Sequence, residues 1–171
     1  MRRLALVPVV LAALAVPLVA LATPGTTSDG SLVIQNGQAP AGTPVVAMTI
    51  TGSVIGNIGH GKLVVDAGPN SDVTPQVIGY ESHGDSTLSD TASWWRGFDV
   101  KFRVIGCNKC TLLVYGSDDD DIDLVAVGQG TVKVAGMPDT PHGDGSYSLN
   151  DHDFVSLPGV QSKLLSISAG G

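Results

Sequence analysis

The sequence predicts an all-β fold, an antiparallel β-sandwich of about 8–10 short strands, with a β-barrel as the alternative. Two compositional facts point there. The 171-residue chain holds 22 glycines, and every acidic residue except Glu81 is aspartate. Asp and Gly favour turns and caps, whereas helices draw on Glu, Ala, Leu and Lys. The third observation is periodic: Phe98, Val100, Phe102 and Val104 share one side of an extended chain, and Asp99, Lys101 and Arg103 share the other. That is a strand with a core side and a wet side.

Residues 1–22 read as an export signal. Arg2 and Arg3 precede an uncharged run over 4–22 that closes on Ala20-Leu21-Ala22, a small-x-small cleavage pattern. Pro8 and Pro17 also favour cleavage, and the expected location is the extracellular space or cell envelope. A retained signal would hold the domain at the outer face of a membrane. No Cys follows the cleavage site, so lipid anchoring is not indicated. Residues 23–43, broken by Gly and Pro, are expected as a flexible entry segment with a short edge strand at 32–34. Residues 44–171 are then a single sandwich domain.

Within that domain 45–51 is apolar on both faces, as in a central strand, and 63–65 follows a Gly-rich turn. A strand at 76–78 lies beyond the Gly68-Pro69-Asn70 break, and the alternating strand occupies 95–104. Residues 111–115 return antiparallel to it, and 122–134 form a long strand or a bulged pair. A last hairpin, 146–149 with 153–157, turns about Asn150-Asp151, and Leu164, Leu165 and Ile167 could add a final strand. Gly59-x-Gly61 and Gly128-x-Gly130 each precede an aliphatic-x-Val stretch. The echo is either a bulge or bend entering a core strand or the trace of a duplication. Neither copy has the third glycine or the following helix of a phosphate loop.

The formal net charge is −7, and two of the few basic residues lie in the signal, so an electrostatically driven nucleic-acid partner is excluded. No Gly-x-Ser-x-Gly elbow or His-Glu-x-x-His motif is present, and a single Glu leaves a glycosidase only Asp pairs. The expectation is therefore a protein that is not an enzyme. Cys107 and Cys110 lie in a Cys-Asn-Lys-Cys segment between two predicted strands. In an exported chain this reads as a structural disulfide across a hairpin tip, not a redox or zinc site. Asp118, Asp119, Asp120, Asp121 and Asp123 are the densest charge in the chain. They form either a solvated loop or an oxygen-rich Ca²⁺ site. His142, Asp144, Asp151, His152 and Asp153 could converge on a transition metal, or on the Asp/His site of a hydrolase. His60 and His83 fall in predicted turns without an evident partner. Trp94 and Trp95 face opposite ways on a strand, one inward and one outward. The outward ring, near Tyr80 or Tyr115, is a candidate platform for sugar rings.

Residues 121–136 read Asp-Ile-Asp-Leu-Val-Ala-Val-Gly-Gln-Gly-Thr-Val-Lys-Val-Ala-Gly, and after an acidic loop come Asp144-Gly145-Ser146-Tyr147-Ser148-Leu149. This resembles a group of secreted, β-rich actinobacterial proteins carrying G-x-G-T-V-x-V-x-G and then D-G-x-Y-x-L, a group with no assigned activity. Trp95-Arg96-Gly97-Phe98 also fits the group's central strand, and the resemblance spans about residues 58–158. It implies a secreted β domain and supplies no catalytic residues. The cysteine pair and the aspartate run depart from the group's pattern. Together these readings lead to a secreted, non-enzymatic binding or structural domain whose partner is an envelope polymer or an extracellular protein. A Ca²⁺-stabilised module and an Asp/His hydrolase are the alternatives.

Overall fold

The structure, a computed structural model, describes residues 29–68, 72–117, 121–138, 145–159 and 161–168. It is all-β and antiparallel, with no helix among the described residues. The strands are β1 (Gly30–Gly37), β2 (Val46–Asp66), β3 (Gln76–Asp85), β4 (Ala92–Gly116), β5 (Ile122–Val134), β6 (Ser146–Leu149), β7 (Val155–Ser156) and β8 (Lys163–Ile167). They pair in the order β3-β4-β2-β5-β1-β6-β7, with β8 added to β5, and the sheet does not close into a barrel.

Two strands are far longer than ordinary ones, and they make the sandwich by bending. Residues 46–50 of β2 pair with 110–114 of β4, and 61–66 of the same strand pair with 111–116 and with 92–97. One layer therefore runs 82–85, 93–97, 61–66, 111–116, 46–50, 130–134 and 163–167. The other runs 76–78, 100–104, 54–58, 122–127, 31–37, 146–149 and 155–156. Side chains from both layers meet in one core, with Met48, Leu63, Leu112, Val114 and Val132 on one side and Leu32, Ile58, Phe102, Ile122 and Leu124 on the other.

Glycines mark where the strands bend. Gly52 of β2 is opposite Gly128 of β5, which is opposite Gly30 of β1, while Gly52 faces Cys107 of β4 across its other edge. Gly52 and Gly128 hold φ of +152° and +148°, and a Cβ on either would strike the partner strand's backbone. The line is a crease across four strands, and only glycine lets the two backbones come this close. A second crease joins Gly61 to both Gly97 and Gly116. Each Gly-x-Gly echo thus places one glycine on a crease.

Several sequence expectations change here. No hairpin turns at the cysteines, because 92–116 is one continuous strand. Cys107 and Cys110 bracket a bulge: three steps of β4 oppose the two steps from Ile50 to Gly52, and Gly106 and Lys109 have φ of +73° and +60°. The hydroxyls of Thr51 and Ser53 accept from the amides of Lys109 (3.1 Å) and Gly106 (3.4 Å) at this bulge. The disulfide, with Cα atoms 5.3 Å apart, staples that bulge on the crease. Residues 63–65 likewise continue β2 through Gly61 and do not follow a turn. The strand at 32–34 is interior, with β5 on one side and β6 on the other, so the segment expected as a flexible entry contains a core strand. Phe98 is 56% exposed while Val100 is buried, because the second crease, with Asp99 at φ +53°, turns the side-chain alternation over. His60 and His83 lie in β2 and β3 instead of turns.

The last hairpin forms as its turn residues dictate. Asn150 and Asp151 both adopt positive φ, and the side chains anchor the turn to β1: the Ser31 amide donates to Asn150 Oδ1 and the Ser31 hydroxyl to Asp151 Oδ1, each at 3.1 Å.

Candidate functional site

Each layer has an outward surface, and the two differ. On the first layer Lys62 of β2 stands between Arg96 and Tyr115, its direct neighbours on the two flanking stretches of β4. Its ammonium lies 5.8 Å from the centre of the Trp94 ring and 5.7 Å from that of Tyr115. Val64, beside Trp94 in the ladder, is only 3% exposed although it lies outside the main core. Gly84 of β3 runs against the Trp94 ring, where a Cβ would come within 3.2 Å. Trp95 packs against the main core. Neighbouring tryptophans do face opposite ways, and the outward one is half-buried beneath a lysine. His60 stacks on Phe98 at 4.0 Å and 11°, and with Lys62, Arg96 and Tyr115 it lines a hollow of about 430 Å³.

The second layer's outward side chains surround a larger groove of about 690 Å³. Its geometry follows from register. Across adjacent strands one row reads Gln76, Arg103, Ile55, Val125 and Val33, from β3 to β1. The next row reads Ile78, Lys101, Asn57 and Asp123. Of the apolar members Ile55 is 51%, Ile78 65% and Val125 45% exposed, while Val33 is partly buried. Val127, one step further along β5, is exposed as well. Two of the polar members are engaged. Lys101 Nζ lies 3.0 Å from Asp99 Oδ2, and Asp123 Oδ1 accepts from the Asn36 amide at 3.0 Å. Arg103 has no ion-pair or hydrogen-bond partner among the described residues, and Asn57 Oδ1 is buried without one.

The other candidates from the sequence do not gather into a site among the described residues. Asp118, Asp119 and Asp120 lie outside them, as do His142 and Asp144. Asp121 Oδ1 accepts from Gln38 Nε2 at 2.8 Å, and with Asp123 it ties the start of β5 to the end of β1. Asp151 serves the final turn, and His152 and Asp153 are exposed beside it. His83 lies 5.5 Å from Tyr80, ring to ring. Among the described residues no group of three or more His, Cys, Asp or Glu is placed to hold a metal, and no helix is long and apolar enough to cross a membrane. Among the described residues one carboxyl is perturbed. The Thr91 hydroxyl, donating to Asp66 at 2.6 Å, holds its carboxyl below the ordinary value against the opposing effect of burial, with help from Ser89 and the Gly68 amide.

The groove is hard to read from the sequence because two of its strands carry runs that are apolar on both faces. Residues 124–127, Leu-Val-Ala-Val, are apolar at every position, and so are Val54 and Ile55. A run apolar on both faces predicts burial on both faces. Here Leu124, Ala126 and Val54 are buried, while Val125, Val127 and Ile55 meet solvent. No protein-family model, curated protein or solved structure matches this chain.

Proposed function

We propose that this protein is a non-enzymatic binding domain of the extracellular space or cell envelope, and that the second layer's groove is where it takes its ligand. The observation that carries this is the uncovered pair of Ile55 and Val125, continued by the partly buried Val33 and with exposed Ile78 beside it, in a concavity of about 690 Å³. Scattered exposed aliphatic residues need no explanation, but a contiguous set flanked by polar groups marks an interaction surface. The volume falls within the roughly 300–1,000 Å³ of small-molecule sites, which combine an apolar lining with few polar groups. Location rests on the export signal read at 1–22.

A neutral apolar dye tests the reading. Nile red added to the purified protein should gain fluorescence saturably, and Ile55→Asp and Val125→Asp should abolish that gain. Trp94→Ala, on the other layer, should leave it intact, with circular dichroism confirming that each variant folds. Equal dye binding by wild type and both groove variants would place the ligand elsewhere.

A further inference from the structure

We infer that the groove's ligand is a single-chain amphiphile with an anionic head, a long-chain carboxylate, whose chain lies across Ile55, Val125 and Val33 and whose head meets Arg103. The inference rests on the binding reading above. Its first support is what the groove lacks. Around the groove β4, β2, β5 and β1 each have a neighbour on both sides, so their amides and carbonyls are spent in the ladders. An extended peptide laid there would bury main-chain groups against aliphatic side chains with nothing to pair them. A methylene chain carries no such groups. From β4 to β1 the row crosses four strands, roughly 15 Å at the usual strand spacing, which suits a chain lying flat.

The second support is charge. On a chain of net charge −7, Lys101 and Arg103 stand two residues apart on one wall of the groove. Lys101 already pairs with Asp99, whereas Arg103 has no partner among the described residues. Arg103 is also the ladder neighbour of Ile55, so a charged head at its guanidinium leads directly onto the apolar row. The planar guanidinium matches a carboxylate with two parallel hydrogen bonds.

Titration calorimetry with dodecanoate, dodecanol and dodecyltrimethylammonium, each below its micelle concentration, separates the possibilities. Dodecanoate should bind at least about tenfold tighter than the other two, as expected for a hydrogen bond to a charged partner. Arg103→Gln should bring dodecanoate to the dodecanol level, Arg103→Lys should keep part of the preference, and Trp94→Ala, on the other layer, should keep all of it. If dodecanoate shows no advantage, or keeps it in Arg103→Gln, the inference falls while a dye still displaced by Ile55→Asp leaves the binding reading standing. If wild-type protein binds neither dye nor amphiphile, both fall together.

Discussion

The two outward faces of this sandwich are built from the same strands, β2, β4 and β5, and end in opposite states. On the first layer the largest outward ring, Trp94, is roofed by Lys62 and backed by Gly84, with Val64 buried beside it. On the second layer no large ring draws attention, yet Ile55, Ile78 and Val125 are left open. An outward aromatic ring whose face is covered by a cation belongs to the fold's stability. A site is indicated where apolar surface stays unpaid for by any neighbour, even when its residues are ordinary aliphatics.

That contrast can be broken most severely at the crease both faces share. Gly128→Val forces a β-branched side chain into the Thr51–Gly52 backbone at φ +148°, and we expect a loss of about 3 kcal/mol or more with both faces affected, read by urea denaturation. Trp94→Ala should cost about 2 kcal/mol through lost apolar packing and the cation contact, with dye binding in the groove untouched. Replacing Cys107 and Cys110 together by Ser should cost up to ~2 kcal/mol, since a short closed loop gains little chain entropy. A smaller cost at these positions than at Trp94 would show that Thr51 and Ser53 hold the bulge without the staple. Ile55→Thr, half exposed, should change stability by no more than about 0.5 kcal/mol, so that its effect appears in binding and not in melting.

The smallest effect is pH-dependent. Because the Asp66 carboxyl is held below its ordinary value, its contribution to stability is present in full above about pH 3.8 and is lost as the pH falls through the lowered folded value. Thr91→Val removes the main cause. Wild type should therefore exceed the variant in melting temperature at neutral pH, and the gap should narrow in acid. A gap that is constant from neutral pH to acid would assign Thr91 a role other than holding this carboxylate.

Much of the architecture was legible in the residues. The strands at 45–51, 76–78 and 122–134 were readable from apolar periodicity, and the final hairpin from Asn150-Asp151, whose side chains tolerate positive φ. What the sequence concealed was continuity. Gly-His-Gly at 59–61 and Cys-Asn-Lys-Cys at 107–110 carry the composition of turns, and a local reading breaks the chain at both. In the structure each is a bend inside a strand, because the flanking stretches pair with different ends of the same partner. The site was hidden for a related reason: alternation tells which residues share a face, but not which face another layer will cover. Only the register that sets Ile55 beside Val125 and Arg103 reveals the row.

Val114 faces Val46 on one side and Leu63 on the other, and both partners belong to β2. Residues 111–116 are therefore clasped by the two ends of a single strand, and they cannot take their place until that strand has already wrapped around. Such interlocked, long-range pairing favours slow, all-or-none folding in milliseconds to seconds. The amides of 111–116 should then exchange with solvent only when the whole domain opens, and a break in the chain within β2 should dissolve the entire molecule.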